Sequence, residues 1–492
     1  MSEYIARSRF FGRLFEIFIP VTTWLIITFP LWMSPFHPAF VAYFIIAFDL
    51  YFFYSCLRTV YYSTLSYKLM QDHDKIDFAR MVMKMNLASK IHHFVIIPNY
   101  KEPLHKMKQT IEAMTKSDYP YKKICLVLAF EKREEEAQDK ARSIINQFGY
   151  FFEDIICSYH VLAPDEVAGK ASNQTHAAKD VAVYCDKKNL SSKDIIITIC
   201  DADSLLPVNF FSYLAHTYIH DKDRYHHFYW APVLLYNNFW KLSFFVRIQA
   251  TLSSILRLSF LSQKDKLIQI STYATNLWLL KEINYWDVDI IPEDWHVFFQ
   301  AFFTYGEKVK TIPLYTMVSG DAVYTSNMIK TFVNRYEQEK RWAWGVSDIG
   351  YALKRFFATP HIKALPKLKK ILYLVENHLF WPTSFFLLTL SASIPPIVNP
   401  VFKRTVLGFL LPQLSGLILT ISTSMILVYI YLDVKLRQRI NIGTKLINFP
   451  LLLIQWYFLP LISFFLSSLP ALESHTRMII GKKIEYKVTE KM

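Results

Sequence analysis

Glycine and cysteine are scarce in this sequence, with eleven and five copies among 492 residues. So little glycine beside 52% hydrophobic residues excludes fibrous, low-complexity and disordered chains. The cysteines (Cys56, Cys125, Cys157, Cys185 and Cys200) stand far apart. They offer neither a zinc-ligand spacing nor the framework of a small disulfide scaffold, so a reducing compartment is expected. Charge is missing too, but only locally. Both ends carry long stretches almost without it, while the middle is rich in it, as expected of a membrane protein with a soluble insert. The net charge of +14 asks for an anionic partner. No basic stripe interleaved with aromatics is present, so nucleic acid is not expected. Basic residues instead edge the apolar runs, as in Arg7, Arg9, Arg13 and Lys435, Arg437, Arg439, where anionic membrane lipid accounts for them.

The apolar runs set the order of the chain. Residues 14–33 and 38–57 are each long enough to cross a bilayer and form a helical hairpin, with no small-residue cleavage site to mark a removable signal. Arg7, Arg9 and Arg13 before it and Arg58 and Lys68 after it put the N-terminus and the following domain in the cytosol. From about 91 to 312 the texture changes. Short runs rich in Val, Ile and Phe (91–97, 123–130, 154–161 and 193–200) alternate with helical stretches (103–116, 131–148 and 170–184). That alternation predicts right-handed βαβ units and a mostly parallel sheet with helices on both faces, with its ligand crevice at the carboxyl ends of the strands. Stretches 240–261 and 329–357 mix basic and aromatic residues and suit a membrane surface. Three more apolar blocks follow at 371–398, 406–432 and 446–469. The last carries Pro450, Pro460 and Pro470, which a straight spanning helix tolerates poorly. No internal repeat is visible.

Four local patterns point to chemistry. Asp201-Ala202-Asp203 directly follows an apolar strand, so two carboxylates share one turn and can approach a hard cation that also bridges phosphate oxygens. An isolated acidic pair of this kind is common in surface loops; its place at a strand end is what gives it weight. Gly169-Lys170-Ala171-Ser172-Asn173 opens a helix, and a lysine beside free N–H groups is a natural anion site. Ile290-Ile291-Pro292-Glu293-Asp294-Trp295 puts paired acids at another helix start, where one can serve as a general base, although the helix dipole favours acids there in any protein. Gln338, Arg341 and Trp342 recur at i, i+3 and i+4 on one helix face. Arginine suits a diphosphate and tryptophan a sugar ring, but interfacial anchoring also explains such a tryptophan.

In this order the patterns resemble the processive-type family-2 glycosyltransferases, which include bacterial cellulose synthase and hyaluronan synthase. The likeness runs from about residue 91 to 344. Val95-Ile96-Ile97-Pro98-Asn99-Tyr100-Lys101-Glu102-Pro103 looks like that family's first-strand motif, with Lys101 in place of asparagine. The resemblance implies that Tyr100 and Glu102 help hold the nucleotide base. Asp201 and Asp203 then contact the nucleotide and a Mg²⁺ or Mn²⁺ ion. Asp294 becomes the catalytic base, and Trp286-Asp287 matches the W-D pair before it. Gln338, Arg341 and Trp342 fit the Q-x-x-R-W signature, with Glu293, Gln338 and Trp342 on the acceptor side and Lys170 and Arg341 on the donor diphosphate. Glu131 stands where the family's first aspartate is expected, which leaves the base of the nucleotide open. Tyr486, Val488, Thr489 and Lys491 resemble the gating loop of cellulose synthase, with tyrosine for phenylalanine.

The expectation is thus an α/β domain of GT-A type, with a mostly parallel sheet, inserted between N-terminal and C-terminal transmembrane helices. Its parts are a hairpin (1–68), a cytosolic transferase domain (69–325), interfacial helices with Q-x-x-R-W (326–370), a membrane region (371–470) and a cytosolic tail (471–492). The expected reaction is inverting, metal-dependent transfer from a UDP- or GDP-sugar to a growing polysaccharide, exported through the enzyme's own helices in a bacterial-type plasma membrane. A single transfer to a lipid-linked acceptor is the alternative, and a non-catalytic transporter or scaffold a third. If the tail is cytosolic, 371–398 and 406–432 span and 446–469 is interfacial or re-entrant.

Overall fold

The structure is a computed structural model, and it describes residues 8–443 and 448–485. The gating-like residues Tyr486, Val488, Thr489 and Lys491 lie outside the described residues. Two long helices come first, α1 (Arg9–Met33) and α2 (Pro38–His73). The second continues to His73, past the apolar run expected to end at residue 57, and leads into the next domain.

That domain is built on a seven-stranded sheet in the order β3-β2-β1-β4-β7-β5-β8. Its first half is β1 (His92–Asn99), β2 (Ile124–Glu131), β3 (Asp154–His160) and β4 (Ile195–Ile199). These four are all parallel, as the alternation predicted. Three helices make their crossovers: α3 (Leu104–Thr115), α4 (Ala137–Phe148) and α5 (Lys170–Lys187). Consecutive residues of each strand serve opposite cores. Phe94, Ile96, Cys125 and Val127 pack towards α5, while Val95, Ile97, Leu126 and Leu128 pack towards α3 and α4, as the two-residue period of a strand requires. Helix α4 starts at residue 137, not 131. Glu131 closes β2 instead, and the carboxylate of Glu134 stiffens the intervening turn by accepting from Asn99, the Lys101 amide and Lys140.

The second half uses shorter pieces: α6 (Phe210–His220), β5 (Phe228–Trp230), β6 (Val233–Leu234), α7 (Phe244–Leu261), β7 (Tyr273–Asn276), α8 (Glu293–Tyr305), β8 (Thr311–Pro313) and β9 (Val318–Ser319). Strand β7 runs antiparallel between β4 and β5, and β6 pairs with β9 as a small separate sheet beside the Asp201–Asp203 turn.

Helices α9 (Met328–Ala343) and α10 (Ser347–Ala358) replace the single helix expected at 329–357. The break falls at Gly345, where an added Cβ would lie 3.1 Å from His378 Cε1. A side chain here would press on His378 of α11 (Ala364–Thr389). After α11 a short pair of turns bends the path by 46°, and α12 (Val406–Ser424) and α13 (Ile426–Arg439) continue it. The last helical run, Phe449–Ile479, reaches ten residues beyond the expected block and ends in α14 (Leu469–Ile479). Pro450, Pro460 and Pro470 each open a new segment of it at a first-turn position, where a missing N–H costs nothing.

Among the described residues, five helical runs are long and apolar enough to cross a membrane: Arg9–Met33, Pro38–His73, Phe244–Leu261, Val406–Arg439 and Phe449–Ile479, with the bent pair as a sixth. Two of them keep close company with the sheet domain. Helix α7 bonds to β6 and α9 through Ser254, Arg257 and Gln249. The Phe449–Ile479 run packs Phe458 on Phe244 near its start. Near its end Arg13 donates to the carbonyls of Met478 and Ile479. That stretch of α1 itself meets α10, with Gly350 against Glu16.

One carboxylate ties three parts together. Glu376 of α11 accepts from Tyr51 and Arg58 of α2 and from Lys266 in the loop after α7. Each partner keeps some solvent contact, so Glu376→Ala should cost about 1–2 kcal/mol rather than the 3–5 of a fully buried pair. Thermal melting of the detergent-solubilised protein should fall by a few degrees; unchanged melting would show the clamp to be idle.

Candidate active site

The crevice lies at the carboxyl ends of β1, β2 and β4, and a lysine stands at its centre. Lys170 is the first residue of α5. The helix start is fixed by Asn173, which donates to the carbonyls of Asn99 and Ala129 at the ends of β1 and β2. From there the Lys170 ammonium reaches Asp201 at 2.9 Å, Glu293 at 3.1 Å and Asp294 at 3.7 Å. Residues far apart in the chain thus meet around one charge. Burial alone disfavours that charge, but Asp201, Asp294 and Glu293 outweigh burial and hold the Lys170 pKa well above its ordinary value.

Asp294 is also fastened from the other side. The loop between α7 and β7 offers the Ser271 amide to Asp294 Oδ2 at 2.7 Å and the Ser271 hydroxyl to Asp201. Gln269 donates to the Asp294 carbonyl at 2.9 Å. Ser271 adopts a left-handed backbone, φ 67°, a strained conformation for a residue with a side chain, and here it bridges two acids. The second oxygen of Asp294, Oδ1, is buried and accepts no hydrogen bond among the described residues. Burial first and Glu293 second raise the Asp294 pKa well above the carboxylate range, against the pull of Lys170. A carboxylate so placed is a stronger base than one in water.

Asp203 shares the turn but faces elsewhere. Its carboxylate accepts from the Asp321 amide at 3.2 Å, and its carbonyl from Asn237 at 3.3 Å; Asp321 in turn pairs with Lys106 at 2.6 Å. Among the described residues no group of three or more His, Cys, Asp or Glu is placed to hold a metal ion. A hard cation that arrives with its ligand needs fewer protein donors. Mg²⁺ commonly takes one or two carboxylates and completes its shell with phosphate oxygens and water.

Tyr100 and Glu102 follow the end of β1, and Glu131 closes β2 beside it. Arg133 lies 4.0 Å over the Tyr100 ring and pairs with Glu131 at the end of β2. The Glu102 carbonyl accepts from Lys140. On α9 two of the signature residues, Gln338 and Trp342, engage Arg335 of the same helix. Gln338 accepts from Arg335, Arg335 and Gln249 both bond Glu339, and the Trp342 ring lies 4.7 Å from the Arg335 guanidinium. Arg341 is half-buried on the same helix. Ser271, Gln269, Arg133 and Arg335 were not legible as site residues, because each lies in a polar stretch without a distinctive pattern.

Two residues beyond Asp294, His296 joins α8 to α10. Its Nδ1 meets Asp348 at 2.7 Å and its Nε2 meets Asp287 at 2.9 Å, and Tyr351 covers the ring at 4.3 Å. Burial opposes protonation, but Asp348 and Asp287 prevail and raise the pKa to about 9.

Residues 196–432, just under half of the chain, match the model of the family described as "Glycosyl transferase family group 2". A search of curated proteins finds no match. Among solved structures, the mannosyltransferase PcManGT from Pyrobaculum calidifontis, in complex with GDP-Man and Mn²⁺, is 14% identical; the match covers 80% of this chain and 98% of that one, with a TM-score of 0.42. S. aureus TarS 1–349 in complex with UDP-GlcNAc is 11% identical over 68% of this chain and 90% of that one, with a TM-score of 0.37. On the family match, residues 196–432 are similar to family-2 glycosyltransferases, within an α/β domain of mostly parallel sheet carrying apolar helices at both ends.

The His296 bridge has a definite pH signature. Its folded pKa of about 9 exceeds the ordinary value of about 6.5. The bridge therefore stabilises fully below about pH 6.5 and is lost as pH rises through about 9. The wild-type melting temperature should decline across that window, and His296→Asn should melt lower at pH 6 with a flatter profile. Parallel profiles for the two proteins would contradict the assignment.

Proposed function

We propose that this protein transfers a sugar from a nucleotide sugar to the end of a growing polysaccharide, by single displacement with inversion at the anomeric carbon. The observation that carries the reading is the meeting of Asp201, Glu293 and Asp294 around Lys170, with Ser271 joining two of the acids. Asp294 takes the proton of the attacking hydroxyl. The Lys170 ammonium faces the negative charge that grows on the departing diphosphate. Tyr100, Glu102 and Glu131 hold the nucleotide end. Gln338, Arg341 and Trp342, together with Glu293, hold the acceptor side and the diphosphate. Asp201 and Asp203 would hold a Mg²⁺ or Mn²⁺ ion, which would neutralise phosphate charge.

The donor is a UDP- or GDP-sugar, and the acceptor enters from the side of α9, between the sheet domain and the membrane helices. The domain is cytosolic in a bacterial-type plasma membrane, with a hairpin before it (1–68 by sequence, carried on by α2), interfacial helices at 326–370 and a membrane region from 371 to 470. In this arrangement α11 and the α12–α13 run span. The Phe449–Ile479 run stays at the domain side, a reading supported by Phe458 on Phe244 and Arg13 on Met478 and Ile479. The tail from 471, with Tyr486, Val488, Thr489 and Lys491, then ends in the cytosol. A C-terminal tag should be shielded in intact cells and labelled only after permeabilisation; labelling from outside would refute this topology.

Asp294→Asn should lower turnover by about 10²–10⁴ while leaving donor binding within a few-fold of the parent. Turnover is read as release of free UDP or GDP from a panel of nucleotide sugars, with and without EDTA. Full activity in the variant would remove Asp294 from its role, and activity undiminished by EDTA would remove the metal. The length of the product separates a polymerising enzyme from one that makes a single transfer to a lipid.

A further inference from the structure

Arg257 takes no part in the site as described so far. It sits on α7, 8% exposed, and its Nη1 donates to the Val233 carbonyl of β6 at 2.8 Å. That is its one hydrogen bond among the described residues, and no carboxylate there lies within ion-pair distance. A guanidinium has five N–H donors in a planar fork, so most of this fork is unused. Arg247, on the same helix, has Nε and Nη1 sealed from solvent without a partner. The remaining nitrogens of Arg257 are not sealed in this way, so the little exposure it keeps includes its donor atoms. A buried, unpaired cation is costly, and its neighbours show what it faces. The Trp342 ring lies 5.5 Å away. The small β6–β9 sheet that holds Arg257 is bonded to the Asp201–Asp203 turn through Asn237 and Asp321. The charges that act on it are Arg335, Glu339, Asp201 and Asp294. Glu339 is already taken by Arg335 and Gln249, and Asp201 and Asp294 by Lys170 and Ser271.

We propose that Arg257 is a phosphate-binding residue of the transfer site, its fork closing on phosphate oxygens of a ligand seated between the Asp201–Asp203 turn and Trp342. The inference rests on the glycosyl-transfer reading above. Phosphate reaches this point from two sources, the diphosphate of the donor or the phosphate of a lipid-linked acceptor, and both suit a planar, charge-assisted fork.

The test compares the parent with Arg257→Met and Arg257→Lys in the full-length protein reconstituted in vesicles. Inhibition is measured with UDP and GDP against UMP and GMP, and half-saturation with polyprenyl phosphate as acceptor. For a donor contact, Arg257→Met should weaken diphosphate inhibition by about 10- to 100-fold, with the monophosphates nearly unchanged and Arg257→Lys in between. For an acceptor contact, the diphosphates hold and the half-saturation for polyprenyl phosphate rises by a similar factor. Added guanidinium ion should restore part of the loss in Arg257→Ala. If diphosphate inhibition and acceptor saturation both stay at parental values, or if mono- and diphosphates weaken equally without guanidinium rescue, the assignment is overturned. A parent that binds neither UDP nor GDP would instead defeat the transferase reading itself.

Discussion

The contact on which the rest of this structure depends is that of one ammonium group with three carboxylates. At 4 Å and an effective dielectric near 20, two like charges repel by about 4 kcal/mol, so Asp201, Glu293 and Asp294 cannot share a crevice without a cation among them. Lys170 is that cation. Its position depends in turn on the sheet: Asn173 locks the α5 start onto β1 and β2, and the parallel pairing of β1 with β4 brings the Asp201 turn alongside. The strained Ser271 is consistent with this economy, because its amide and hydroxyl fix two acids at once. Removing the lysine would leave buried acids uncompensated, which is far more damaging than losing a surface pair.

Polar groups join the domain to the apolar helices alongside one continuous buried apolar cluster, which runs from Phe94 and Val127 of the sheet to Leu374, Leu436 and Leu466. Glu473 of α14 takes Tyr336 and Lys340 of α9, Glu376 of α11 takes Lys266, and Asp348 of α10 takes His296 of α8. Each of these ties ends close to the crevice in the chain. Lys266 lies just before the Gln269–Ser271 loop, and His296 follows Asp294 by two residues. A shift of the long helices against the sheet would therefore be felt first at Asp294, where displacement of the proton acceptor matters most.

What could be read from the sequence follows from the size of each element. Strands β1 to β4 are five to eight residues long, rich in β-branched side chains and separated by amphipathic helices, so their limits fell within one or two residues of the structure. Strands β5 to β9 have two to four residues each, too few for a period to register. The acidic turn, the lysine at a helix start and the acidic pair before α8 were visible because charged residues stand out against apolar flanks, and the fold brings Lys170, Asp201, Glu293 and Asp294 together. Helical spacing put Gln338 on one face with Arg341 and Trp342, and the structure bonds it to Arg335 three residues earlier. Spacing fixes a helix face but not what the face meets. The partnership of Asp348 with His296 and of Ser271 with Asp201 spans tens of residues, and no local pattern announces such contacts.

The distribution of charge gives the crevice a direction. Asp201, Glu293 and Asp294 exceed Lys170 by two negative charges at the end where Asp294 stands. Towards α7 and α9 the balance reverses, since Glu339 offsets Arg335 and Arg257 remains over. Under the proposed reading, a sugar diphosphate lying between them meets repulsion from the acids, which a hard cation on Asp201 and Asp203 relieves, and attraction from the arginine side. The same field draws the proton of the attacking hydroxyl towards Asp294 and the departing phosphate away from it. Bond making and bond breaking thus have their charges separated by fixed groups in a partly buried space, where such groups act far more strongly than in water.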